Sequence, residues 1–141
     1  MLARINTIAF NGLKTLDVDL QLQITSGMPF FGIVGLPDKT IGESKERVRA
    51  ALNSLGVELP AKRILINLAP ADLLKEGSHF DLPIAVALLA GLGIIPLEEV
   101  ENYLIVGELG LLYCGYCSSS LSSFKSISSN SKSDISGASS T

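Results

Sequence analysis

The sequence predicts an α+β fold in which a mixed sheet carries two main helices. Three observations point to it. Residues 16–24 (LDVDLQLQI) alternate apolar and polar side chains at period two. From Asp38 to Leu55 the apolar residues fall at helical spacing instead. The order of segments is strand, strand, strand, helix, strand, helix, strand, which mixes a hairpin with helical connections and argues against a doubly wound sheet.

The elements follow from local patterns. Residues 2–10 read as a first strand, and Asn11-Gly12 as the turn that returns the chain into residues 16–24. In that second strand Leu16, Val18, Leu20, Leu22 and Ile24 share one face, with Asp17, Asp19, Gln21 and Gln23 on the other. Burying five such side chains contributes about 8–15 kcal/mol gross, before chain entropy is subtracted. Ser26-Gly27 and Pro29 mark a break. Phe30 to Leu36 (FFGIVGL) reads as a short apolar strand, whose Gly32 and Gly35 indicate close backbone approach or a bulge.

The first helix spans Asp38 to Leu55, with Ile41, Val48, Ala51, Leu52 and Leu55 on its inner face. Thr40 and Glu43 have capping-box spacing, Asp38 is a second candidate cap, and Gly56 fits the stop. Glu43 and Arg47 stand at i,i+4 in the favourable order. Arg63 to Leu68 is a strand between Pro60 and Pro70. Asp81 is read as the cap of a helix from Leu82 to about Leu92, with Pro83 in its first turn. Glu98 to Asn102 is a polar turn or short helix, and Tyr103 to Leu109 a last strand. The apolar run Leu82–Leu97 is shorter than the roughly 20 residues a spanning helix needs, and prolines and glycines cut it. A buried helix followed by a turn is expected there, and no membrane association.

The 141 residues suit about one domain. Eleven Lys plus Arg against fourteen Asp plus Glu give a net charge of −3, which does not suit a strongly basic nucleic-acid binder but leaves room for a local basic patch. Two Cys and one His are too few for a four-ligand zinc site. The N-terminus shows no secretory signal pattern, and a cytoplasmic location is expected. Residues 118–141 hold 13 Ser in 24 positions and few large apolar side chains, so 112–141 is expected to be a disordered tail after a domain over 1–111.

Four segments carry candidate chemistry. Gly35-Leu36-Pro37-Asp38 opens a helix, as an anion site would, but Asp38 would repel an anion and a strand-to-helix turn is the better account. The phosphate-loop pattern G-x-x-x-x-G-K-[ST] does not occur, so no nucleotide hydrolysis of that kind is expected. Lys45, Arg47 and Arg49, with Lys62 and Arg63, could contact phosphates of DNA or a partner, although Glu43 and Glu46 are interleaved and a solvated helix face is the simpler account. Lys75-Glu76-Gly77-Ser78-His79-Phe80-Asp81 offers a base, a hydroxyl and carboxylates. Ser78 and His79 are adjacent, however, and triads assemble from distant segments. A structural turn is expected, with His79 in a local hydrogen bond. Cys114 and Cys117 have knuckle spacing without partner ligands.

GIVGLPD at 32–38, ERVRAAL at 46–52, RILINLAPADLLKEGSHFDLPIA at 63–85 and IVGEL at 105–109 together resemble the magnesium-chelatase-like AAA+ ATPases of bacteria, the YifB and ComM group. The resemblance covers nearly all of 1–111 and is most specific from Asn67 to Ala85. It implies the family's N-terminal domain, similar to the second domain of ribosomal protein S5 and to the Lon protease domain. It implies ATP, Mg2+ and DNA helicase or branch-migration activity in natural transformation only for full-length relatives, whose AAA+ domain is separate. No catalytic, cofactor or metal residue is thereby expected in this chain. The Lon nucleophile word, Lys-Asp-Gly-Pro-Ser-Ala-Gly, would set His79 at the nucleophile position and Ser78 one place early, which disfavours peptidase activity. Partners implied are the family's AAA+ domain, in cis or in trans, and DNA through the full assembly. After IVGEL the family words stop. A frame change or truncation near Leu111 is expected, leaving a fold incomplete at its C-terminal end, with exposed core surface and a tendency to self-associate.

Overall fold

The structure, a computed structural model, describes residues 1–110. Two long strands, β1 (Leu2–Asn11) and β2 (Lys14–Thr25), pair antiparallel from Leu2 opposite Gln23 to Asn11 opposite Lys14. Gly12, at φ +63°, is the first of two residues at the tip and Leu13 the second. Positive φ at the first tip position suits a glycine and matches the twist of the flanking strands. The hairpin therefore begins its return at Lys14, two residues before the alternating run suggested.

The next three elements, β3 (Phe30–Val34), α1 (Asp38–Ser54) and β4 (Arg63–Ala69), form a β–α–β unit with β3 and β4 parallel. β4 also pairs antiparallel with β2, so the sheet runs β1-β2-β4-β3 and is mixed, as expected of the α+β class. Two further helices follow, α2 (Asp81–Gly91) and the single turn α3 (Leu97–Val100).

The alternation in the strands becomes a two-sided sheet. Ala3, Ile5 and Ala9 of β1, Val18, Leu20, Leu22 and Ile24 of β2, and Ile64, Ile66 and Leu68 of β4 are buried. Of the five apolar residues expected inward on β2, Leu16 is only half-buried because β4 ends opposite Asp19. Helix α2 lies against β1 and β2 on this face, and α1 packs beside α2. Gly91 makes that approach possible, since a Cβ there would overlap Leu22 Cδ2. Helix α2 is buried nearly all round, from Pro83 to Gly91, which is why its sequence shows no polar stripe. Among the described residues no helix is long and apolar enough to cross a membrane.

The opposite face is open, with polar pairs on β1, β2 and β4 and exposed Leu2, Phe10, Phe30 and Val34. Arg4 meets Asp19 at 2.6 Å, Gln21 donates to Asp19 at 2.7 Å, and Asn67 donates to Gln21 at 3.2 Å. The hydrogen bond from Arg4 is the main cause that holds the Asp19 carboxyl below its usual value.

Five expectations are corrected. The strand expected at Tyr103–Leu109 does not form. Only Leu104 bridges to Asn6 of β1, and the following backbone is used elsewhere. Ile105 N–H donates to Asn6, Gly107 N–H to the His79 carbonyl, and Leu82 N–H to the Gly107 carbonyl. The segment is thus strapped between the edge of β1 and the start of α2, which takes the groups a ladder would need. The capping box of Thr40 and Glu43, and Asp38 as cap, also fail. Pro37 is the N-cap and the helix begins at Asp38, inside which Thr40 already lies. Asp38 instead sits in the first turn, where its charge suits the helix dipole. Asp81 likewise is the first residue of α2 and makes no cap, because its carboxylate is engaged across the core. Strand β3 ends at Val34, short of Leu36. The tail at 112–141, with Cys114 and Cys117, lies outside the described residues.

Candidate functional site

The segment from Lys75 to Asp81 holds the residues most like a catalytic set, and the structure sends them in different directions. Asp81 is buried (1% exposed) at the start of α2. It receives Ser44 Oγ at 2.6 Å and Arg47 Nε at 2.5 Å, both from α1, with Arg47 Nη2 at 3.4 Å. The carboxylate is therefore bound by a guanidinium fork and a hydroxyl, the strong form of such a contact. That bond raises the Arg47 pKa above its ordinary value, against partial burial. Glu43 stands 3.8 Å from Arg47 on the outer side. This cluster ties α1 to α2.

His79 turns away from Asp81. Its Nε2 donates to the Ile8 carbonyl at 3.1 Å, which places the proton on that nitrogen. The ring lies edge-on to Phe10, with centroids 5.0 Å apart, and tilted on Phe80 at 4.1 Å. The bond expected to be local instead crosses 71 residues of sequence to β1. Lys75 is buried (1% exposed), and its Nζ donates to the carbonyls of Pro70 and Leu73. Burial lowers its pKa from the ordinary lysine value, with Asp72 opposing. Glu76 and Gly77 are exposed, and Ser78 is half-buried. Sequence reasoning did not find the burial of Lys75, since the carbonyls that hold it come from the loop after β4 and no side-chain pattern marks them. Among the described residues no group of acidic, His or Cys side chains is arranged to hold a metal ion.

The basic residues gather at a different place, the β3 edge of the sheet. Phe30 and Phe31 point to opposite faces of β3, Phe31 inward and Phe30 outward at 46% exposure. The Phe30 ring lies across Gly32, where a Cβ would overlap its Cε1 atom. Around the two rings stand cations. Arg63 is 5.0 Å from the Phe30 centroid, Lys45 is 6.0 Å from Phe30 and 5.7 Å from Phe31, and Arg49 is 5.5 Å from Phe31. Such distances lie within cation–π range. Beside them a cavity of about 370 Å³ is lined by Phe30, Arg49, Asn53, Pro60 and Lys62 among others. The candidate contacts Lys45, Arg49 and Arg63 thus come together, with Lys62. Arg47 does not join them, because it faces Asp81. Glu46, 3.8 Å from Arg49, is the nearest opposing charge shown.

The structure is thus an α+β module whose acid is committed to packing and whose bases gather at one edge. A sequence model described as subunit ChlI of Mg-chelatase matches residues 20–123, and the chain belongs to that family. Its relatives narrow this to the YifB and ComM group. Over 110 residues it is 47% identical to the uncharacterized protein YifB of Salmonella typhimurium and 44% to YifB of Escherichia coli. It is 43% identical over the same length to the competence protein ComM of Haemophilus influenzae. Each alignment covers 78% of this chain and 22% of the relative, so the chain spans about a fifth of the length of the curated relatives it matches.

Proposed function

We propose that residues 1–111 serve as the non-catalytic N-terminal domain, or a fragment, of a ComM/YifB-type AAA+ ATPase, and act by contact rather than by chemistry. The observation that supports this most is the use of Asp81. A triad needs its acid on the imidazole, and here the carboxylate is held by Arg47 and Ser44 while His79 bonds to β1. Partners of the domain are the AAA+ portion of the same family, in cis or in trans, DNA through the assembly, and a second copy of the chain. ATP and Mg2+ belong to the longer relatives, and the setting is cytoplasmic. The wider role, ATP-dependent DNA helicase or branch-migration activity in natural transformation, is what the family resemblance implies for the longer relatives, among which one is named competence protein ComM.

Two assays test the reading with the purified chain. Incubation with ATP and Mg2+ should release phosphate at the rate of a protein-free control. A fluorophosphonate probe should label wild type and Ser78→Ala alike. Turnover of ATP, or labelling that Ser78→Ala removes, overturns the non-catalytic reading.

A further inference from the structure

The β3 edge combines features that the packing of this domain does not require. Phe30 is a large aromatic side chain left half in water, its ring close against Gly32 on an edge strand. Inward-facing Phe31 serves the core without it. Four cations from three elements, Lys45 and Arg49 of α1, Lys62 of the loop and Arg63 of β4, converge on the same edge. In a chain of net charge −3, four cations at one edge are a local reversal of sign. The concave space beside them has an apolar wall of Phe30 and Pro60 and a polar wall of Arg49, Asn53 and Lys62.

We propose that this edge binds single-stranded nucleic acid, with one base against Phe30 and Pro60 and the neighbouring phosphates on Lys45, Arg49, Lys62 and Arg63. An exposed ring offers a stacking surface to any unpaired base, and the surrounding cations follow the backbone. Duplex DNA hides its base faces within the stack, so it could use the cations but not the ring. A purely acidic partner would likewise use the charges alone. The site names a substrate class for the contact-making role and rests on that reading.

The test is fluorescence anisotropy of a labelled 15-nucleotide oligothymidine with the full 141-residue chain. Neutralising four phosphates gives a salt slope of about −2.8, so affinity should fall roughly fiftyfold between 50 and 200 mM salt. Phe30→Ala should weaken binding at least about fivefold and leave the salt slope unchanged. Lys62→Glu should weaken it more and flatten the slope. Lys14→Glu, the same charge change at the hairpin tip, should have no effect. Matching thermal melts show that the variants fold. Four results overturn the site: no binding at 50 mM salt, duplex of the same sequence bound as tightly, equal loss from Lys14→Glu, or a Phe30→Ala variant that binds like wild type. Displacement by polyglutamate of equal charge at equal concentration overturns it too, and points to an acidic protein partner. Loss of the site leaves the non-catalytic reading standing, whereas ATP turnover removes that reading and leaves the binding curve as measured.

Discussion

Arg47 and Arg49 leave the same helix two positions apart and reach opposite surroundings. At 3.6 residues per turn they project about 200° from one another. Arg47 faces α2, where Asp81 waits, and its side chain is 19% exposed. Arg49 faces the β3 edge and stays 49% exposed over the Phe31 ring. The same side chain type thus serves as a cross-core clamp in one case and, beside Glu46 and the Phe31 ring, as an exposed surface cation in the other. Composition and local spacing describe both identically. What separates them is a carboxylate 34 residues further along the chain.

The contrast can be broken at either end. The largest effect is expected from Asp81→Asn, which leaves a partly buried guanidinium without its counter-charge. Removal of one partner of a buried pair costs about 3 kcal/mol, read by urea denaturation. Arg49→Ala should cost under about 0.5 kcal/mol in the same experiment, since exposed cations stabilise little. If the two variants lose equal stability, the division between clamp and surface is wrong.

A second pair of polar groups sharpens the point on the sheet. Thr7 lies on the apolar face of β1, and among the described residues its buried Oγ1 has no hydrogen-bond partner. Thr7→Val should therefore raise stability by about 1 kcal/mol, seen as a higher urea midpoint at unchanged slope. Asp19, on the open face, is satisfied by Arg4 and Gln21 and has a lowered pKa. Its unfolded form takes up a proton first as pH falls, so its contribution is complete above the ordinary aspartate value and is lost as pH drops through the lower folded value. Asp19→Asn should flatten the acid limb of stability against pH between those two values. An unchanged limb counts against the Arg4 pairing.

Much of the fold was legible. Period two in β2, the glycine turn before it and the shift to helical spacing at Asp38 are local signals, and each names its element within a few residues. The features that failed depend on distant groups. Asp81 has the position of a cap but meets Ser44 and Arg47 first. Tyr103 to Leu109 has the composition of a strand, yet its backbone bonds are divided among Asn6, His79 and Leu82. Lys75 sits in a polar-looking stretch and is buried by carbonyls that no residue type announces. The basic edge was half legible. Lys45, Arg49 and Arg63 are visible in the sequence as charges, but Phe30 reads there only as part of a strand, and its close approach to Gly32 appears only in three dimensions.

The strap at residues 104–107 gives the domain a mechanical property. Backbone hydrogen bonds join it to β1 on one side and to the opening of α2 on the other. A pull applied at Gly107 would be shared at once between the outermost strand and the central helix, so a tug there shifts sheet and helix together instead of being taken up as slack.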